Sequence, residues 1–148
     1  MKLKFFLFSF VLCLVTAKGF AQKNKEARSI IDEKVSIKKY HNKEELDRMA
    51  KGDLIKLYIE RNKVLTRILP YVAFATRPGV TMTSLGIPNS SDNRKALDAQ
   101  FENTNVYVLK TTQFHGVYLP YADTRNLIAA ILFYEEIMKS LYQYDQFR

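Results

Sequence analysis

The chain is poor in the residues that carry most recognisable chemistry: one cysteine, two histidines and no tryptophan among 148 residues. The single cysteine, Cys13, lies in an apolar N-terminal run, so no intrachain disulfide can form and stability has to come from packing. With only His41 and His115 available, a zinc site would lean on carboxylates, which is uncommon for a structural site. No glutamate is followed three residues later by histidine, which excludes the motif of carboxylate-bridged di-metal bundles. The glycine-rich dinucleotide fingerprint, the phosphate-binding loop and the nucleophile elbow are all absent. The residues thus point to no catalytic group, no metal and no cofactor.

Long hydrophobic runs are also scarce, with one exception. Lys2 and Lys4 precede an apolar stretch from Phe5 to Val15 broken only by Ser9, and Gly19 and Ala21 then supply small residues at alternate positions. This is the order of a cleavable secretory signal, expected over residues 1–21. A membrane span would need ~20 apolar residues, and Lys18 closes the run too early. No transmembrane segment is expected after cleavage, and the product is read as exported, periplasmic or secreted.

The net charge of +8 is unevenly placed. Removing residues 1–21 takes away three lysines and no acids, leaving +5. Residues 22–43 hold seven basic against three acidic residues, a net of +4, whereas residues 44–148 are nearly balanced at +1. The domain plan is therefore a signal at 1–21, a basic segment at 22–43 and one domain at 44–148. The basic segment reads as a solvated arm, and an anionic envelope surface suits it better than nucleic acid.

Periodicity predicts an all-α fold, a small bundle of three to four helices with a kinked long helix and one Pro/Gly-rich loop. Residues 24–34 fit a short helix, although Val35-Ser36-Ile37 alternates like a strand. Asn42 is a good N-cap, with Glu44 and Glu45 in the first turn. From there Leu46, Met49, Leu54, Leu57, Val64, Leu65 and Ile68 share a face at ~100° per residue. Gly52 weakens this pattern and Pro70 should end or kink it. Residues 77–91 form the loop, after which Ser90 or Ser91 caps a third helix through Leu97 and Phe101. Residues 103–113 suit helix by register but strand by their β-branched content, and helix is preferred. His115 to Pro120 reads as a break. The last helix, from Thr124 to about Tyr144, has the clearest stripe, formed by Leu127, Ile131, Tyr134, Met138 and Leu141.

Two charges interrupt these stripes: Arg61 between Leu57 and Val64, and Glu135 between Ile131 and Met138. Since a buried charge requires a partner, the two are expected to face each other. The third helix turns Thr104, Asn105 and Thr112 toward its apolar side. A polar interior site for an anionic ligand, formed by Arg61, Glu135, Thr104, Asn105 and Thr112 and gated by loop 77–91, is one reading; a register-fixing ion pair is the other. His115 reads as an ordinary residue at a helix end. Arg77 on the loop and Tyr118 and Tyr121 on the following turn are the candidate partner contacts. The function expected is that of a non-enzymatic accessory or interaction protein of the cell envelope, binding another envelope protein or an anionic surface. The alternative is a small anionic-ligand binding or sensing domain.

Overall fold

A computed structural model describes residues 28–144; the expected signal peptide and the first residues of the basic segment lie outside them. The described residues form an all-α fold of one short and three long helices. These are α1 (Lys43–Asp47), α2 (Lys51–Ile68), α3 (Ser91–Tyr118) and α4 (Thr124–Tyr144), with single 3₁₀ turns at Leu69–Tyr71, Thr83–Leu85 and Leu119–Tyr121.

The long helix expected from Asn42 is divided. Asn42 caps α1 with a reciprocal box: its side chain accepts from the Glu45 N–H at 2.8 Å, and the Glu45 carboxylate accepts from the Asn42 N–H at 3.2 Å. After one turn the backbone becomes extended at Ala50, and α2 starts anew. The break lets both Leu46 and Leu54 enter the same cluster, with Leu127, Ile128 and Ile131. In an unbroken helix those two leucines would diverge by about 80°. Further on, α2 stops at Ile68, and Pro70 sits in the 3₁₀ turn that follows. This is the expected end, because proline supplies no N–H to the helix.

Several contacts define the packing. Tyr58 meets Tyr134 and Arg61 meets Glu135, so α2 and α4 run parallel. Lys51 reaches Pro120, Tyr58 meets His115, Arg67 meets Asn105 and Tyr71 meets Phe101, so α3 runs antiparallel to α2. α2 is the common partner, and α3 packs on it rather than on α4. α3 has 28 residues, about 42 Å at 1.5 Å per residue. Its buried residues are Thr104, Val108 and His115 alone. It also continues to Tyr118, through the first four residues of the expected break at His115 to Pro120.

Residues 28–42 are neither a helix nor a solvated arm. Ile30, Ile31 and Val35 are buried with Val64, Leu65, Ile68, Tyr71, Met82 and Met138. An isolated antiparallel bridge joins Ser29 to Thr81, and the Ile30 N–H donates to the Val80 carbonyl at 2.8 Å. The Ser29 hydroxyl also accepts from the Gly79 N–H at 3.0 Å. Loop 77–91 is therefore fastened to the N-terminal segment. Gly79 and Gly86 take positive φ there, the left-handed conformation that glycine adopts without steric cost.

Candidate functional site

Arg61 and Glu135 sit between the two apolar clusters. Along α2, Arg61 lies between Leu54 of one cluster and Val64 of the other; along α4, Glu135 lies between Ile131 and Met138. Both side chains are 1 % exposed. Arg61 Nε donates to Glu135 Oε1 at 2.8 Å, its Nη1 to Glu60 at 3.1 Å and its Nη2 to the Lys39 carbonyl. Glu135 Oε2 accepts the His41 backbone N–H at 2.7 Å. His41 Nδ1 stands 3.3 Å from both Arg61 Nη2 and Glu135 Oε1, and its tautomer decides which of them it bonds.

Every guanidinium nitrogen thus has a protein partner. The arrangement ties the extended segment at Lys39 and His41 to α2 and α4, and it leaves little free hydrogen-bonding capacity for a ligand. Of the two readings of this pair, the geometry has the features of an internal ion pair that fixes register and chain path.

The remaining residues of the expected interior site are elsewhere. The Thr104 hydroxyl donates to the Gln100 carbonyl at 2.8 Å and that of Thr112 to the Val108 carbonyl at 2.7 Å. Both hydroxyls are satisfied within their own helix, the usual solution for a mid-helix threonine. Asn105 is exposed and accepts from Arg67 at 3.1 Å. Thr104 and Asn105 border a small niche with Arg67 and Tyr71, away from Arg61.

Among the expected partner contacts, Arg77 is exposed on the loop, Tyr118 ends α3, and Tyr121 is 88 % exposed on the next turn. The structure extends this set along α3. Tyr107, Phe114, Val117 and Tyr118 each leave more than half of their surface in solvent, and Val106 nearly half. At ~100° per residue they occupy about a third of the helix circumference, on the side away from Val108 and His115. Phe114 and Tyr118 stack with ring centroids 4.4 Å apart. One signal for this face was present in the sequence: between Glu102 and Asp123 the only formally charged residue is Lys110. Helical register alone could not assign it, because apolar residues lie all round that stretch.

His115 is buried, with Tyr58 meeting its ring edge-on at 5.2 Å and Phe114 beside it. Burial pulls its pKa below the ordinary value. Asp123 and Tyr121, its nearest candidate partners in sequence, are exposed, and Asp123 bonds Arg125. Among the described residues, no three histidine, cysteine or acidic side chains converge as a metal site would require, and no helix is long and apolar enough to cross a membrane.

No protein-family model matches the chain, and neither does any curated protein or solved structure.

Proposed function

We propose that this chain is an exported, non-enzymatic interaction protein of the cell envelope, and that it docks another envelope protein through the outer face of α3 and the turn after it. The observation that carries this reading is the exposed aromatic stripe Tyr107, Phe114, Tyr118 and Tyr121. Aromatic residues are enriched and charged residues depleted at the centres of protein interfaces, and residues 103–122 have both properties. At ~150–250 Å² per fully buried aromatic side chain, the four carry roughly 500 Å² of solvent-facing surface. The largest apolar patch of a typical monomer is about 300–600 Å² and is often functional. Export rests on the N-terminal signal pattern, and an envelope setting is one of the two destinations export allows.

The test is site-directed photocrosslinking in the producing cell. A photoreactive residue at position 107 or 121 should give one adduct of the same identified mass, and one at Glu44 on α1 should not. Tyr118→Ser should reduce the adduct formed from position 107. Equal labelling from all three positions would remove the docking face. Recovery of the chain with Met1 intact and inside the cell would remove export.

A further inference from the structure

A second surface, independent of the α3 stripe, lies where residues 28–35 cross α2 and the first half of α3. Three adjoining hollows follow that seam. An open groove of about 600 Å³ is bordered by Arg28, Lys34 and Gly79. A second, of about 250 Å³, lies between Lys34, Lys63 and Arg67, with Val35 and Val64 as its apolar wall. The third is a more enclosed niche of about 40 Å³ between Tyr71, Phe101 and Thr104, reached past Arg28 and Arg67. A liquid water occupies about 30 Å³, so this niche has room for one small polar group.

One residue bordering the niche, Tyr71, carries an unmet hydrogen-bonding group. Tyr71 is 6 % exposed, and its hydroxyl has no partner among the described residues. Burying a hydroxyl in that way is unfavourable unless something accepts its proton. Burial raises its pKa, and the positive charge of Arg28 works in the opposite direction. The hydroxyl therefore stays protonated as a donor near a guanidinium.

The cations around it are under-used. Arg67 spends one N–H on Asn105, and its other donors have no partner among the described residues. Lys34 and Lys63 form no ion pair among those residues. Arg28, which borders both the outer groove and the niche, lies 4.1 Å above the Phe101 ring while holding Asp98 at 2.7 Å. Asp32 is the acid common to all three hollows, and it accepts the Lys34 backbone N–H at 2.9 Å. Glu33 borders only the outer groove.

We propose that this niche and groove bind a small organic anion. Its carboxylate or phosphate takes donors from Arg67, Arg28 and the Tyr71 hydroxyl. Its body lies along Val35 and Val64, beneath Lys34 and Lys63. Guanidinium groups suit this task because their planar fork matches the geometry of an oxyanion.

The experiment uses the full chain, ¹⁵N-labelled, titrated with inorganic phosphate and separately with citrate at constant ionic strength set with chloride. Saturable shifts should map to residues 28–35, Arg67, Tyr71 and Asn105. A response to phosphate alone assigns phosphate esters, to citrate alone polycarboxylates, and to both an oxyanion site of broad range. Tyr71→Phe removes only the unpartnered hydroxyl, so the free variant should be at least as heat-stable as the parent. Its affinity should nevertheless fall roughly ten- to hundredfold, as expected when one hydrogen bond to a charged group is lost. Arg67→Gln should weaken binding by a similar factor. The proposal is overturned if neither anion shifts these residues, or if both variants bind as the parent does.

Discussion

Arg61 of α2 and Glu135 of α4 meet at 2.8 Å in the layer that separates the two apolar clusters, and Glu135 also holds the backbone N–H of His41. One buried ion pair thus fixes the register of two parallel helices and the path of the strap that crosses them. Removing one member leaves the other as an uncompensated buried charge. Arg61→Met or Glu135→Leu should each cost about 3–5 kcal/mol. The double variant should be less destabilised than the sum of the two, because it buries no charge, although the Lys39 carbonyl and His41 N–H still lose their partners. Urea denaturation of the four proteins checks this, and additive losses would show that the pair is not coupled.

Tyr58 donates to or accepts from Tyr134 at 3.1 Å, and burial, followed by that hydrogen bond, pushes its pKa from 10.0 up to about 12. Tyr40 is also raised to about 12, chiefly by burial. In the unfolded chain both ionise near 10, so the unfolded state releases protons first. Stability should be level below pH 10 and decline as pH rises toward 12. Tyrosinate absorbance together with denaturation midpoints across that range tests it, and Tyr58→Phe should flatten the decline.

His115 works in the opposite direction on the acid side. Its folded pKa is depressed below 6.5 by burial, so the unfolded state takes up a proton more readily. Its contribution is complete above about pH 6.5 and is lost as pH falls through the depressed value. His115→Gln should show a shallower loss of stability than the parent between neutral and mildly acid pH. An identical slope would place the acid sensitivity elsewhere.

The capping box predicts that Asn42→Ala destabilises the chain by about 1 kcal/mol. Gly86 has φ 74° and closes the Thr83–Leu85 turn, so Gly86→Ala should cost about 1–2 kcal/mol, the strain of a left-handed L-residue. Thermal denaturation distinguishes these from Asn126→Ala, an exposed change on α4 expected to be within about 0.5 kcal/mol of the parent.

The two sides of α3 should separate stability from association. Tyr107→Ser should leave the folding free energy within about 0.5 kcal/mol, and Phe114→Ser and Tyr118→Ser, which also lose their mutual stack, should each cost no more than about 1.5 kcal/mol. Leu54→Ala or Ile131→Ala empties the fully buried cluster and should cost about 2–5 kcal/mol. If the ring substitutions are as damaging as the core ones, the outer face is part of the fold rather than a free surface.

Local chemistry determined what the sequence shows unaided. The stripe Leu127, Ile131, Met138 specifies α4, Asn42 and Glu45 specify a helix start, and Pro70 specifies a stop, because each acts within a few residues of itself. The meeting of Arg61 with Glu135 was legible too, since a charge within an apolar stripe has few stable solutions. Other features depended on groups distant in the chain. The break at Ala50 exists because Leu46 and Leu54 must reach one cluster on α4. Residues 103–113 are helical despite Val106, Val108, Thr111 and Thr112, because Val108 packs inward on the bundle and the helix is continuous from Ser91. Ile30, Ile31 and Val35 bury a segment whose lysines suggested an arm, and Thr104 and Asn105 border a seam with Arg67 and Tyr71 instead of the interior pair. Periodicity assigns a residue to a face, but only the packed neighbours decide what that face meets.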